Sequence, residues 1–169
     1  MPKPKRTATL TNPLFAGQPR DSWLLLDSQM CFALYSASLS MTKIYKPALA
    51  KLDLTYPQYL VLLVLWEQDR RTVSELGERL FLDSGTLTPM LKRLEALDYV
   101  TRRRDSGDER RVIVSLTAPG KNLRKKALAI PQSVLCATGC SLPQLKALTM
   151  DLVKLRASLA GSLAAGSTI

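Results

Sequence analysis

The sequence predicts a mainly helical chain that carries a small β-wing, a winged helix-turn-helix, and three stretches predict it. In residues 72–80 the apolar positions 73, 76 and 80 follow a helical period, and Thr72 with Glu75 makes a capping-box pattern at the start. Leucines then recur at 87, 91, 94 and 97, the spacing of a second helix with one packed face. Two strand-like runs, 99–104 and 111–117, are joined by Asp105-Ser106-Gly107-Asp108-Glu109-Arg110, whose Gly and aspartates are turn chemistry.

The order of these elements assigns their roles. Phe81-Leu82-Asp83-Ser84 supplies N-cap candidates for the second helix. Pro89 is expected in a first turn, which places the helix start near Thr86 or Leu87. Opposite the leucines stand Ser84, Thr86, Thr88, Lys92 and Arg93, hydroxyls and charges suited to phosphates and base edges in a major groove. In the hairpin, five arginines between 102 and 111 face three acids. By itself such a run is an ordinary solvated surface. After a helix-turn-helix it reads as a positive finger able to follow phosphates into a minor groove.

Composition narrows the function further. The 169 residues are one domain's worth of chain, enough to bury about 70% of the surface exposed when unfolded. A net charge of +10 favours a polyanionic partner, nucleic acid or an anionic membrane surface. The longest apolar run, 60–66, is far too short to span a bilayer and reads as core. Nothing at the N-terminus marks export, so a cytoplasmic protein is expected. There is no histidine. That removes the Ser-His and Cys-His nucleophile pairs, most zinc sites and the commonest general base, so neither an enzyme nor a metal or cofactor site is expected.

Outside the reader the chain is helical. Residues 1–20 hold Lys3, Lys5, Arg6, Arg20 and four prolines without an acid, which predicts a flexible basic arm. The remainder, 21–169, is expected as a single domain, its reader core at 55–117 and its dimerisation helices at 21–51 and 118–160. Asp21 and Ser22 can cap a helix over 23–40 that is apolar on more than one side, with Trp23, Leu24, Met30, Cys31, Phe32, Leu34 and Tyr35. Such a helix is buried on more than one side, here against a second subunit. A further helix is read at 41–51, with Pro47 at its start or at a kink. Thr55 and Pro57 open an inner helix over 57–68. Thr117 and Pro119 start another over 118–130. Pro131 and Gly139 interrupt, leaving Cys136 and Cys140 in an irregular stretch. Ser141-Leu142-Pro143 begins the last helix, to about residue 160, with a stripe of Leu142, Leu145, Leu148, Leu152 and Leu155 suited to a dimer interface.

The stretch 87–94 (Leu-Thr-Pro-Met-Leu-Lys-Arg-Leu), the wing Asp108-Glu109-Arg110-Arg111 and Leu116-Thr117 resemble the MarR family of bacterial transcription regulators, over about residues 24–130. That resemblance implies a dimeric winged-helix DNA binder. Asp108 and Arg110 match its wing signature, the arginine entering the minor groove and the acid holding the wing. Arg111 and Pro89 fall within the same DNA-facing set.

Cys31, among apolar neighbours, is read from its pattern as a small buried hydrophobe. Reactivity needs donors or positive potential that stabilise a thiolate, and with no histidine the tyrosine hydroxyls are what the chain offers. Here the sequence resembles the organic-hydroperoxide-sensing, OhrR-type branch. Cys31 matches its reactive cysteine, Tyr45 and Tyr56 match the two tyrosines that reach across the dimer, and Tyr35 also matches. The branch further implies an intersubunit disulfide with a distal thiol, for which Cys136 is the choice and Cys140 the alternative.

The expected function is therefore a homodimeric repressor that binds double-stranded operator DNA when reduced and releases it once an organic hydroperoxide oxidises Cys31. An apolar lining from Trp23, Leu24, Met30 and Phe32 would favour an organic peroxide. Three other readings stand beside it: a repressor released by a small aromatic ligand, a thiol peroxidase, and an RNA-binding or structural winged helix.

Overall fold

In the computed structural model, residues 24–166 are described. The expected arm at 1–20, the Asp21-Ser22 cap of the helix expected at 23–40 and Trp23 lie outside them. A 3₁₀ turn, Leu26–Ser28, precedes α1 (Met30–Ala50) and α2 (Tyr56–Glu67). Then come β1 (Arg71–Thr72), α3 (Val73–Leu80), α4 (Ser84–Ala96), β2 (Val100–Arg104) and β3 (Val112–Leu116). The chain finishes with α5 (Ala118–Ala127), α6 (Ile130–Thr138) and α7 (Leu142–Ala164). It divides into two compact units, residues 1–43 and 44–169.

In the second unit α2 is the inner helix. Val61, Leu62 and Leu65 are at most 1% exposed, as are Leu76 of α3, Leu87, Leu91 and Leu94 of α4, and Val100 and Val114 of the sheet. Each such side chain contributes roughly 1.5–3 kcal/mol of burial. The leucine period of α4 faces this core, and its other face is left to solvent. α2 begins at an N-cap Thr55 whose backbone N–H donates to Gln58 Oε1 at 2.9 Å, and Pro57 stands in its first turn. α3 begins at Thr72, whose hydroxyl accepts from Glu75 N–H at 3.2 Å while Glu75 Oε2 accepts from Thr72 N–H at 2.7 Å. Both caps follow the sequence pattern.

The sheet has three antiparallel strands in the order β1-β3-β2, with Arg71 opposite Val114 and Val100 opposite Leu116. β1 was not expected. Two residues carry no periodicity, and only pairing with β3 defines them as a strand.

Four expectations about helix bounds are corrected. First, the two helices expected at 23–40 and 41–51 are one, α1, beginning at Met30. Nothing at the step breaks it, because residues 38–44 hold neither proline nor glycine, and the Ser40 and Thr42 hydroxyls satisfy themselves on the carbonyls of Ser36 and Ser38. Pro47 sits inside it, removing one backbone donor without ending the helix.

Second, α4 starts at Ser84, not at 86–87, and Pro89 lies in its interior. Asp83 Oδ1 accepts from Thr86 N–H at 2.9 Å and caps the helix there, while the buried Leu87, Leu91 and Leu94 on both sides of Pro89 hold the helix through it.

Third, Cys136 lies in a helix, not in an irregular stretch. Pro131 falls in the first turn of α6, where its missing N–H has no helical partner to lose, and Gly139 at φ 65° ends it. Consequently α5 stops at Ala127, short of 130.

Fourth, α7 runs to Ala164, past residue 160.

α1 and α7 are the least covered elements. Among the described residues α1 buries Leu49 alone and α7 buries none. Met30, Tyr35 and Leu39 are exposed, as are Leu142, Leu148 and Leu152, while Leu145 and Leu155 are half-buried. The burial expected of Cys31 is not found within the chain, where its thiol is exposed.

Candidate nucleic-acid interface and thiol site

The helix-turn-helix is held at its corner by backbone geometry. Phe81 ends α3 in the left-handed region at φ 58°, and its ring lies under the Arg156 guanidinium of α7 at 4.4 Å. Two residues on, Asp83 caps α4. Its carboxyl is held below the usual carboxylate range, first by the Thr86 hydroxyl and then by the Thr86 backbone N–H. From this cap α4 turns Ser84, Thr86, Thr88, Pro89, Lys92 and Arg93 to solvent, with Leu87, Leu91 and Leu94 beneath. The Thr86 and Thr88 hydroxyls donate to Asp83 Oδ2 and to the Ser84 carbonyl, both at 2.7 Å, leaving their lone pairs outward.

The wing is laced by ion pairs. Arg110 donates from Nε and Nη2 to Asp108 Oδ1 and Oδ2 at 2.9 and 3.2 Å, and its backbone N–H adds a bond to Oδ1 at 3.1 Å. These bonds hold the Asp108 carboxyl below its ordinary range, the guanidinium contributing most. The Arg110 side chain is still 90% exposed. Arg111 faces Asp105 at 4.0 Å. Arg102 is spent inward, its Nη2 and Nε on Glu95 Oε2 at 2.6 and 2.9 Å, joining β2 to α4. Arg103 and Arg104 stay exposed. The Glu95 bridge was not foreseen, since seven residues separate the partners and no local period connects a helix end to a strand.

The wing's root has further ties that the sequence did not mark. Asp69 Oδ1 accepts from Leu116 N–H at 2.8 Å, and Asp69 Oδ2 faces Lys121 Nζ at 3.4 Å. Trp66 Nε1 donates to the Gly120 carbonyl at 3.0 Å. Gly120 abuts Tyr99 so closely that an added Cβ would sit 2.0 Å from the Tyr99 carbonyl oxygen. A Trp and an Asp bounding an apolar run were the available signals, but neither names a partner about fifty positions away.

Of the thiol-site residues, Cys31 and Tyr35 lie one turn apart on α1 in the first unit, both exposed. Tyr45, Tyr56, Cys136 and Cys140 belong to the second. There the structure brings Tyr45 and Tyr56 together, with ring centroids 4.7 Å apart, and Tyr59 joins them at 6.1 Å from Tyr45. Burial raises the pKa of all three phenols above the ordinary value, so they remain neutral O–H donors near pH 7. Cys136 in α6 and Cys140 beyond Gly139 are free and exposed. No cluster of three metal-ligating side chains occurs among the described residues, and no described helix is long and apolar enough to cross a membrane.

Comparison with known proteins places this geometry. Residues 43–127 match the family model described as transcriptional regulator SarA/Rot. The chain is 52% identical over 132 residues to the organic hydroperoxide resistance transcriptional regulator of Bacillus subtilis (strain 168), covering 76% of this chain and 90% of that protein. Among solved structures it resembles reduced AbfR of Staphylococcus epidermidis bound to DNA, with TM-score 0.65 and 36% identity over 80% of this chain and 95% of that one. The disulfide form of AbfR matches over the same shares and at the same identity, with TM-score 0.57. The matched proteins are transcriptional regulators, not enzymes.

Proposed function

This chain belongs to the SarA/Rot/MarR class of winged-helix transcriptional regulators, and we propose that it is a cytoplasmic, homodimeric repressor released from a pseudo-palindromic operator by organic hydroperoxides. α4 enters the major groove through Ser84, Thr86, Thr88, Pro89, Lys92 and Arg93, while Arg110, steadied by Asp108 and flanked by Arg111, enters the minor groove. Residues 55–117 read the DNA. Segments 21–51 and 118–160 form the dimer, and the arm at 1–20 adds basic charge.

One observation carries the sensor reading: a solvent-facing Cys31 near the start of α1, in a chain half identical to an organic hydroperoxide resistance regulator. The Cys31 thiolate attacks the terminal oxygen of the hydroperoxide, the O–O bond breaks, and the alkoxide takes a proton to leave as an alcohol. Cys31 becomes a sulfenic acid. The thiolate of Cys136 of the partner subunit, or else Cys140, then attacks that sulfur, water leaves, and an intersubunit disulfide remains. Tyr45 and Tyr56 of the partner subunit, with Tyr35, donate to the thiolate. Support for redox switching comes from AbfR, solved both reduced on DNA and with its disulfide formed. Support for the dimer comes from the uncovered apolar residues of α1 and α7.

The test is operator binding by the full chain with and without cumene hydroperoxide, repeated with Cys31→Ser. The parent should lose the operator and the variant keep it. A parent that holds DNA after Cys31 has oxidised sinks the reading.

A second reading, release by a small aromatic ligand, is favoured by one feature. A cavity of about 220 Å³ between α2 and α5–α6 is lined by Tyr59, Leu63, Trp66, Leu128 and Pro131, together with the charged Glu67 and Arg124. Ligand-induced release that persists in Cys31→Ser would select it.

A further inference from the structure

α2 is tied at both ends, and its ties join the tyrosine pair to the wing. At its start stands Tyr56, the residue whose ring meets Tyr45 at 4.7 Å. One turn on, Tyr59 lies 6.1 Å from Tyr45 and 6.2 Å from Trp66, so rings run along the helix without a gap. At its far end Trp66 holds the Gly120 carbonyl, and two residues past the helix Asp69 holds Leu116 N–H and Lys121. Those partners are the wing's root. Thr117 N–H donates to the Tyr99 carbonyl at 3.2 Å, and the Thr117 hydroxyl donates to the Asp98 carbonyl, so the last residues of β3, the first turn of α5 and the entry to β2 form one knot.

Between its ends α2 has little freedom to bend. It is capped at Thr55, contains no glycine, and buries Val61, Leu62 and Leu65 completely or nearly so. From Tyr56 to Trp66 it is a rod of about 15 Å. A close-packed rod of this kind moves as a body.

We propose that α2 is a lever and that Trp66 and Asp69 are its positioning residues, converting a displacement of the Tyr45–Tyr56 pair into a displacement of the wing's root at residues 98–99 and 116–121. The inference rests on the reading that this tyrosine pair serves the Cys31 thiol site. It adds how oxidation reaches the DNA-reading surface. Trp66 and Asp69 touch neither DNA nor thiol in this scheme. Their substitution therefore separates oxidation from release, which a purely structural role would not do.

The experiment follows Cys31 oxidation and DNA release side by side in the full chain. Cumene hydroperoxide is the oxidant, and the DNA is a duplex that the parent selects from a random-sequence library. Oxidation is read by mass spectrometry after alkylation, release by fluorescence anisotropy, and folding by thermal melting. Trp66→Phe keeps the ring but loses the indole N–H. It should bind DNA within about two-fold of the parent when reduced and oxidise at the parent's rate. Once oxidised, it should retain DNA roughly five-fold more tightly than the oxidised parent, the scale of one hydrogen bond. Asp69→Ala should behave alike, and decides on the same comparison if Trp66→Phe does not fold. Release equal to the parent's in both variants overturns the lever alone, as does a large loss of reduced-state affinity, which would make these residues plain scaffold. A parent that oxidises at Cys31 and still holds DNA overturns the sensor reading and the lever with it.

Discussion

Arg110 shows how a side chain with 90% of its surface in water can be aimed: the Asp108 carboxylate, two residues back, takes both of its forked donors. Arg110→Ala should leave the melting temperature unchanged and lower the slope of log affinity against log salt by about 1 to 2 per dimer, one charge from each wing. Titration across salt concentrations checks it, and an unchanged slope and affinity would take the wing out of the interface. In the proposed thiol chemistry Tyr45 and Tyr56 act through their hydroxyls, whose pKa burial raises above the ordinary value. Tyr45→Phe and Tyr56→Phe should each keep reduced-state DNA binding and slow Cys31 oxidation about ten-fold, the low end of the value of a hydrogen bond to a charged group. Stopped-flow oxidation at parental rates in both would remove the tyrosines from the chemistry. Gly120 is required by approach, not by dihedral. Gly120→Ala drives a methyl into the Tyr99 carbonyl and should cost about 1–3 kcal/mol in denaturant unfolding.

At the scale of elements, caps were the most legible feature. Thr72 with Glu75, Thr55 with Gln58 and Ser141 with Gln144 each satisfy donors at a helix start; the first pair and the positions of Thr55 and Ser141 are legible in the sequence, while Gln58 and Gln144 as partners come from the structure. The Thr72 cap carries a pH signature. Hydrogen bonds from the Thr72 backbone, then from its hydroxyl, lower the Glu75 pKa below 4.5 in the folded chain. A depressed folded pKa means that the stabilisation is present above the unfolded value and is lost as pH falls through the folded one. Unfolding curves of the parent and Glu75→Gln should therefore differ at pH 7 and converge only as the pH falls through the lowered folded-state value, by the linkage of proton binding to folding. A gap that stays constant across that window would show that the cap does not depend on the charge. The two interior prolines were the least legible, whereas Pro57, Pro119 and Pro143 stand in first turns as expected. Pro47 and Pro89 both lie inside helices, because a proline forfeits one hydrogen bond while the packed leucines and the Asp83 cap on either side of Pro89 retain theirs.

At the scale of the whole molecule, two helices are left with apolar residues uncovered, and the proposed second subunit would cover them. Sedimentation should find a dimer at micromolar concentration, with DNA readers set about 34 Å apart, one turn of the duplex. The distal thiols decide whether the switch is reversible. If Cys136 resolves the sulfenic acid, peroxide should produce a covalent dimer on a non-reducing gel that a dithiol reverses. Cys136→Ser should abolish that band and leave Cys31 open to sulfinic acid, whereas Cys140→Ser should leave it intact. The opposite pattern assigns the role to Cys140, and a band that survives both substitutions sinks the two-cysteine chemistry.

By itself the sequence determined the winged helix-turn-helix, the caps, the face of α4 that meets solvent and the charge of the wing. All of these follow from residues within a few positions of one another, where helical or strand periodicity translates spacing into direction. Tertiary structure alone decided which arginines remain free. Arg102 is drawn inward by Glu95, Arg110 is held outward by Asp108, and Arg103 and Arg104 are left exposed. It also decided that a two-residue segment pairs as β1, and that Trp66 and Asp69 hold the root of the wing across 54 and 47 positions of chain. A hydrogen bond between groups so far apart leaves no period in the sequence, because its partners are brought together only when the core between them closes.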